Sequence, residues 1–239
     1  MQTALHHAYI LHSRPYQDSS AILDCFSSQQ GLISVIARGA KRPRSRQSML
    51  ARPFIKLQIA WCGKGDLKTL TQIEAEYFHP ILQGSKILLG LYLNELILRL
   101  IRQYDPHVDL FQDYDEILKK TAQATNGREQ EIALRIFELK LLMHLGYGVD
   151  LLHEGKSQHP IESDLLYTYD QNLGIIAISE IEQSKNTLSV SGASIQALEK
   201  QIFETDAVLR ESKKLLRYIL ACYLGAKPLN SRQLFAKVL

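Results

Sequence analysis

The chain has 239 residues, of which 46% are hydrophobic and 22% charged, a composition typical of a globular protein rather than a disordered one. The longest apolar tract, residues 87–101, contains polar and charged residues and is shorter than the roughly 20 residues of a membrane-spanning helix. The amino terminus lacks the positive and apolar regions of a secretory signal. We therefore expect a soluble, cytoplasmic protein.

Charge is distributed unevenly along the chain, although the formal net charge is only +3. Residues 1–79 hold ten Lys and Arg against five Asp and Glu, and residues 210–239 hold seven against one. Residues 80–209 hold eleven against nineteen. Two basic ends around an acidic middle indicate a polyanionic partner without identifying it.

The first 80 residues have the pattern of a small β-barrel. Short runs rich in β-formers are separated by turn signals, such as the Gly-Lys-Gly-Asp segment at 63–66. Five strands at this spacing are typical of an OB fold, a barrel that binds oligonucleotides, and an SH3-like barrel fits the pattern nearly as well. The predicted strands are residues 8–12, 21–26, 32–37, 54–61 and 67–75.

The pattern changes at His79-Pro80, because the residue before proline is disfavoured in a helix and helical periodicity follows. We predict two domains in an α+β fold, a barrel at residues 1–80 and a mainly α-helical domain at residues 81–239. The helical domain also contains a small β-hairpin, in which residues 166–169 pair with residues 175–178. The predicted helices are residues 85–103, 108–124, 129–145, 194–203, 206–224 and 231–238.

Two polar residues lie inside the apolar helix 85–103. Asn94 and Glu95 need partners there, because an unpaired buried polar group costs about 1–3 kcal/mol. We predict that hydrogen bonds to neighbouring segments satisfy the pair. A functional contact is the alternative.

The sequence offers little support for catalysis. Three widely spaced cysteines without a CxxC motif argue against a disulfide framework and a four-cysteine zinc site, and His153 and His159 alone specify a zinc site poorly. An acidic cluster could hold a divalent metal for a nuclease, but no further ligand pattern supports it, and we interpret it as a solvated helix face. We predict neither a metal nor a cofactor. The acidic residues are Asp109, Asp113, Asp115 and Glu116.

Binding to nucleic acid is better supported. Five cationic residues fall within nine positions after the third predicted strand, in a loop rich in Gly, Pro and Ser that can lie along a phosphate backbone. Three more come from other turns and strands of the barrel. A solubilising surface loop is the alternative interpretation. The predicted DNA-binding residues are Arg14, Arg38, Lys41, Arg42, Arg44, Arg46, Lys64 and Lys68.

Aromatic residues of the barrel domain are candidates for base stacking. Proteins that bind single strands combine such side chains with a basic groove. Phe26, Phe54 and Trp61 are equally suited to the core. The candidates are Tyr9, Tyr16, Phe26, Phe54, Trp61, Tyr77 and Phe78.

Six stretches follow one another along the chain: AYILHSRPYQDSSAILDCFS (8–27), VIARGAKRPRS (35–45), GDLKTL (65–70), GLYLNELILRL (90–100), LRIFELKLLMHLGYG (134–148) and KPLNSRQLF (227–235). Together they resemble the RecO family of bacterial recombination mediators and DNA repair proteins. The ordered set, with LRxFELxLLxHLGYG and KPLxSRxLF, is far more specific than any single stretch. The resemblance runs from the first predicted strand to the last predicted helix.

The resemblance implies an N-terminal OB domain on a helical domain, no enzyme active site, and binding to single- and double-stranded DNA. It also implies annealing of complementary strands, association with RecR, and help in loading RecA onto single strands coated by single-stranded DNA-binding protein (SSB). At Arg135 it implies a contact with the acidic C-terminal tail of SSB. We expect a nucleoid-associated protein that is a monomer on its own.

One segment departs from the family pattern. Many RecO proteins carry a four-cysteine zinc motif after the HLGYG helix, whereas VDLLHEGKSQHP at 149–160 contains no cysteine. We therefore predict no zinc, which leaves open how residues 148–164 are held in shape. An RNA-binding OB module is the alternative function, and a metal-dependent nuclease is a third.

Overall fold

The computed structural model describes residues 3–76, 82–178 and 188–238. The chain folds into two compact units, one made of residues 1–124 and 228–239 and the other of residues 125–227. The predicted domain boundary after Pro80 lies outside the described residues and remains a prediction.

Five strands of the first unit form a closed barrel: β1 (His6–Tyr16), β2 (Ser20–Ser27), β3 (Gly31–Ala37), β4 (Lys56–Cys62) and β5 (Leu67–Ala75). Their order around the barrel is β1-β2-β3-β5-β4. β3 and β5 pair in parallel, and the other neighbours are antiparallel. This is the order of the five-stranded Greek-key barrel, so the predicted OB fold is confirmed.

Successive residues of a strand point to opposite faces, so every second side chain of a barrel strand points inwards. Most of these inward side chains are aliphatic. Leu23, Val35 and Ile59 are each at most 1% exposed. Trp61 and Cys25 belong to the same core. Burial raises the pKa of the Cys25 thiol far above its ordinary value, which is typical of an unreactive core cysteine.

Four helices complete the first unit: α1 (Arg46–Leu50), α2 (Ser85–Leu100), α3 (Val108–Gln123) and α7 (Asn230–Val238). α2 packs against β1, α3 and α7. Because α7 lies at the carboxyl end of the sequence, both ends of the chain belong to one unit. None of the described helices is long and apolar enough to span a membrane.

Hydrogen bonds to neighbouring elements hold the polar pair in α2, as predicted. Asn94 is 2% exposed and donates to the Leu11 carbonyl at 2.8 Å, while Tyr114 donates to Asn94 Oδ1 at 2.5 Å. Glu95 accepts hydrogen bonds from the first two backbone N–H groups of α7, both at 2.8 Å. Partial burial opposes ionisation of Glu95, but hydrogen bonds from α7 outweigh it and lower its pKa. Glu95 therefore caps the first turn of α7.

The described residues of the second unit form three helices and a small sheet: α4 (Gly127–His144), β6 (Leu166–Asp170), β7 (Gly174–Ala177), β8 (Val190–Ser191), α5 (Gly192–Glu199) and α6 (Asp206–Leu224). The predicted hairpin is confirmed as β6 and β7. β8 pairs with the other edge of β6 and is absent from the sequence prediction, because two residues are too few to show alternation. α4 and α5 both pack against α6.

Carboxylates and a hairpin contact hold residues 148–164 without cysteines. Asp150 accepts backbone hydrogen bonds from two and three positions further on, at 2.8 and 3.1 Å. Glu154 accepts one from Ser157 at 2.9 Å and one from the last residue of β7 at 3.3 Å. Gly155 donates to the Ile175 carbonyl at 2.7 Å, and a Cβ there would lie 1.5 Å from a hairpin carbonyl oxygen. Only glycine allows this close approach.

Candidate nucleic-acid interface

The basic stretch after β3 folds into a loop and a short helix. Residues 38–45, which we name the cationic loop, end at Ser45, whose hydroxyl caps α1 by accepting from the Ser48 N–H at 3.0 Å. The sequence predicts one continuous loop here, and α1 corrects that prediction. The available signal was a serine N-cap followed by helix-compatible residues.

Internal hydrogen bonds determine the conformation of the cationic loop. The Arg42 N–H donates to the Gly39 carbonyl at 3.0 Å, and the Ser45 hydroxyl donates to the same carbonyl at 2.8 Å. Gly39 has a φ of 74°, a region that favours glycine. The Lys41 N–H donates to a carbonyl of the β1–β2 turn at 3.0 Å. The loop backbone is therefore ordered and tied to the end of β1.

Four side chains of the cationic loop present charge that no carboxylate in the described part of the chain neutralises. Arg38, Arg42 and Arg44 are exposed, and no described residue forms an ion pair or side-chain hydrogen bond with them. The Lys41 ammonium group is also exposed, and its one hydrogen bond within the described ranges is donated to the Gln17 carbonyl at 3.4 Å. These four charges are available to an anionic ligand.

Two further arginines of the predicted set are partly neutralised. Arg14 on β1 pairs with Asp24 on β2, with 3.0 Å between Nη1 and Oδ2. Arg46 in the first turn of α1 lies 3.5 Å from Glu74 on β5. Both side chains are exposed, so each pair is screened by water and weak.

The two remaining predicted residues belong to the β4–β5 hairpin. Lys64 is exposed in its turn, and Lys68 lies on β5 with its ammonium group 5.3 Å from the ring centroid of Tyr104. Tyr104 is half-exposed and joins β3 through its backbone N–H, which donates to the Leu32 carbonyl at 3.0 Å. Tyr104 is not among the residues predicted from the sequence, because only the tertiary fold brings it to the barrel.

A polar cleft of about 480 Å³ opens between the cationic loop and the end of β1. Arg38 and Arg42 line it together with Tyr16, the last residue of β1, and none of the described residues that line it is acidic. Of the eight predicted residues, these two arginines alone line this cleft. Arg14 lines another cleft, of about 230 Å³, together with its partner Asp24. The larger cleft therefore combines positive charge with an aromatic side chain.

Several of the predicted aromatic residues are part of the core. Tyr9, Phe26 and Trp61 are at most 4% exposed. Tyr9 and Phe26 pack against Phe111 of α3, with ring centroids 5.6 and 5.5 Å apart. These three rings are unavailable to a base. Two further candidates, Tyr77 and Phe78, lie outside the described residues.

Arg135 lies in the interior of the second unit. Its side chain is 1% exposed, and its Nη2 donates to Glu138 Oε1 at 3.0 Å. The Nε and Nη1 groups have no hydrogen-bond partner among the described residues. A ligand carboxylate can reach this guanidinium only after neighbouring side chains move. The tail-binding role of Arg135 remains a prediction.

The acidic residues of α3 do not form a metal site in the described part of the chain. Asp115 accepts hydrogen bonds from Tyr9 and from Lys119, the latter at 2.7 Å, and lies 3.4 Å from Lys56. Partial burial opposes ionisation of Asp115, but the hydrogen bonds from Lys119 and Tyr9 lower its pKa. The interpretation of a solvated acidic face is wrong for this residue. The described ranges contain no group of three or more His, Cys, Asp or Glu arranged to hold a metal.

Known proteins are similar to this chain along both compact units. Residues 1–78 match the family described as Recombination protein O N terminal, and residues 82–233 match Recombination protein O C terminal. A DNA repair protein RecO from Nitrosococcus oceani is 38% identical over 238 residues, which cover 100% of this chain and 95% of that relative. The protein of the same name from Haemophilus influenzae is 39% identical over 237 residues, covering 99% and 98%. That from Mannheimia succiniciproducens is 39% identical over 230 residues, covering 96% and 98%.

Proposed function

The chain belongs to the RecO family of DNA repair proteins, and on this premise we propose that it binds single- and double-stranded DNA and anneals complementary strands. With RecR, it helps to load RecA onto single strands coated by SSB. It does so as a binding protein, without an enzymatic step of its own. The observation that supports the proposal best is the cationic loop, whose exposed arginines lack a counter-ion among the described residues.

Phosphate repulsion is the obstacle that an annealing protein must remove. Each cation that neutralises a phosphate releases a condensed counter-ion, and the slope of log affinity against log salt changes by about 0.7 per contact on single strands and about 0.9 on duplex DNA. The cationic loop offers four such cations on an ordered backbone. Contacts to phosphate carry no base information, so we expect affinity without sequence preference.

Contact with the SSB tail involves the second unit in this proposal. An acidic tail that ends in a carboxylate suits the Arg135 guanidinium, whose Nε and Nη1 groups lack acceptors among the described residues. Because Arg135 is buried beside Glu138, the tail must displace neighbouring side chains to reach it. The tail carboxylate then supplies the acceptors that Arg135 lacks.

Annealing of complementary oligonucleotides coated with SSB, followed by fluorescence energy transfer without ATP, tests the proposal. We expect the chain to accelerate annealing, and the variant Arg42→Ala/Arg44→Ala to lose most of this acceleration. The charge-matched control is Lys156→Ala/Lys200→Ala, which removes two exposed cations from the second unit. It should anneal like the unmodified chain.

Competition between DNA and RNA of matched sequence tests which of the two nucleic acids the chain prefers. Phosphates are common to both, so the cationic loop alone does not distinguish them. We expect DNA to compete at least as well as RNA. Failure to accelerate annealing, or a clear preference for RNA, would contradict the proposal and favour the RNA-binding alternative.

A further inference from the structure

The cleft between the cationic loop and the end of β1 is suited to one unpaired nucleotide. We propose that Tyr16 is the ring on which an unpaired base stacks, while Arg38 and Arg42 bind the adjoining phosphates. This inference rests on the proposed DNA-binding function. It assigns to one residue the distinction between single-stranded and duplex DNA.

Tyr16 is placed beside the arginines by the local fold. It is the last residue of β1, and the β1–β2 turn that follows accepts two hydrogen bonds from Lys41, one from its N–H at 3.0 Å and one from its ammonium group at 3.4 Å. These bonds join the turn to the cationic loop. A Cβ added to Gly39 would lie 3.6 Å from Arg42 Cδ, so the Arg42 stem lies along the glycine. Tyr16 and both arginines therefore face one cleft.

The cleft has the size and chemistry of a nucleotide site. Its volume of about 480 Å³ falls within the range of roughly 300–1,000 Å³ that small-ligand sites occupy. Its lining includes two cations, several small polar groups and one aromatic ring, and no described residue brings to it a carboxylate that would repel phosphate. Single-strand binders combine these same two features, a basic surface and an aromatic platform.

Tyr16 is also the barrel aromatic that remains available for stacking in the described residues. Its side chain is half-buried, and no described ring or cation packs on it. Phe54 packs towards α2, where its ring lies 2.6 Å from the position of a Cβ on Gly90. Tyr104 already carries Lys68 over its ring. The other described aromatics of the barrel belong to the core.

Stacking on Tyr16 requires an unpaired base, because the faces of a base in a duplex are covered by its neighbours. The arginines contact phosphate, which single strands and duplexes share. The Tyr16 ring should therefore add affinity for single strands only. The cationic loop should contribute to both.

The experiment compares Tyr16→Ala with Tyr16→Phe, which keeps the aromatic face. Affinity is measured at fixed salt for an oligo-dT containing one 2-aminopurine and for a duplex of the same length. We expect Tyr16→Ala to weaken single-strand binding by about tenfold, to leave duplex binding and both salt slopes unchanged, and to reduce the quenching of 2-aminopurine on binding. Tyr16→Phe should behave like the unmodified chain.

Other results would separate the inference from the proposed function. Equal losses on single strands and duplex, or no loss on either, would overturn the stacking role while leaving DNA binding in place. An unmodified chain that binds no DNA would overturn the proposed function. Equal melting temperatures of the Ala and Phe variants would show that a loss of affinity does not come from unfolding. If the melting temperatures differ, Tyr16→Leu replaces Tyr16→Ala in the comparison, because leucine keeps the apolar bulk without a ring.

Discussion

The arginines of the cationic loop and Arg135 of α4 are the same type of residue, but their surroundings differ. Arg38, Arg42 and Arg44 are exposed without a counter-ion among the described residues, on a backbone held by its own hydrogen bonds. Arg135 is 1% exposed and paired with Glu138. Burial and the nearest carboxylate, and not the residue type, decide whether a cation is available to a ligand.

The difference has an energetic reason. An exposed guanidinium keeps its hydration and its diffuse counter-ions until a phosphate replaces them. A buried guanidinium has lost its water, and removal of its partner leaves an uncompensated charge that costs about 3–5 kcal/mol. Changes in the loop should therefore affect binding, and changes at Arg135 should affect stability first.

The largest expected effect is on the stability of Arg135→Met. We expect a loss of about 3–5 kcal/mol in the free energy of unfolding, because the buried Glu138 carboxylate loses its ion pair with Arg135. Urea denaturation measures it, and Arg14→Met, which removes an exposed pair, is the matched control with a loss of about 1 kcal/mol or less.

The double variant Arg135→Met/Glu138→Gln sharpens this test. It removes both charges, so much of the stability should return. If the double variant regains stability as expected, it also tests tail binding, with Glu138→Gln alone as the reference. An unchanged affinity for the SSB tail peptide in the double variant would remove Arg135 from the partner site.

The next effect concerns DNA affinity in the loop variant Arg42→Ala/Arg44→Ala. Loss of two phosphate contacts should weaken single-strand binding about 20-fold at 0.1 M salt and make the salt slope shallower by about 1.4. Stability should stay within about 0.5 kcal/mol, because both side chains are exposed. A large loss of stability with unchanged DNA affinity would contradict the conclusion that the loop arginines act in binding and not in stability.

Glu95 tests an intermediate case, a half-buried carboxylate whose partners are backbone N–H groups. Glu95→Gln should cost about 1 kcal/mol, because the charge that strengthens the α7 cap is lost. Glu116→Gln, in an exposed pair with Lys120, is the control.

The pH dependence of Glu95 has a defined sign. Its pKa is lowered in the folded state, so its contribution is complete above the ordinary Glu pKa of about 4.3 and is lost as the pH falls through the lower folded value. The stability difference between the unmodified chain and Glu95→Gln should therefore shrink below about pH 4. A difference that stays constant down to pH 3 would contradict the cap.

The smallest effect is expected for Arg14→Ala. Asp24 already neutralises part of the charge of this arginine, so DNA affinity should fall less than about threefold, compared with a larger loss for Arg42→Ala. Fluorescence titration at fixed salt measures both. Equal losses would show that the Asp24 pair opens when DNA binds.

The longer strands and helices were predicted well from the sequence, and the shortest elements were missed. The five strands and the helices from α2 to α7 are long enough for a run of strand-forming or helix-forming residues between turn signals to be recognised. α1 has five residues and β8 has two, so neither shows a period. The acidic residues of α3 looked solvated, but Asp115 receives hydrogen bonds from β1 and its own helix.

The sequence predicted which types of residue form the candidate site, but not how these residues are arranged in the fold. Sequence identified the density of cations at residues 38–46, since local charge needs no tertiary contact to be recognised. It did not separate Arg42 from Arg14, because Asp24 is ten positions away along the chain and adjacent only across the sheet. It indicated seven candidate aromatic residues without showing that Tyr16 lines a cleft together with two arginines.

By itself, the sequence determined the family, the order of strands and helices, and the charge of the barrel surface, because these depend on residue type and spacing. The tertiary structure decided which of those charges are neutralised, which rings are buried and which end of the chain completes the first unit. Those properties depend on contacts between residues far apart in sequence, such as Glu95 with the first turn of α7. The spacing of residues along the chain does not predict such contacts.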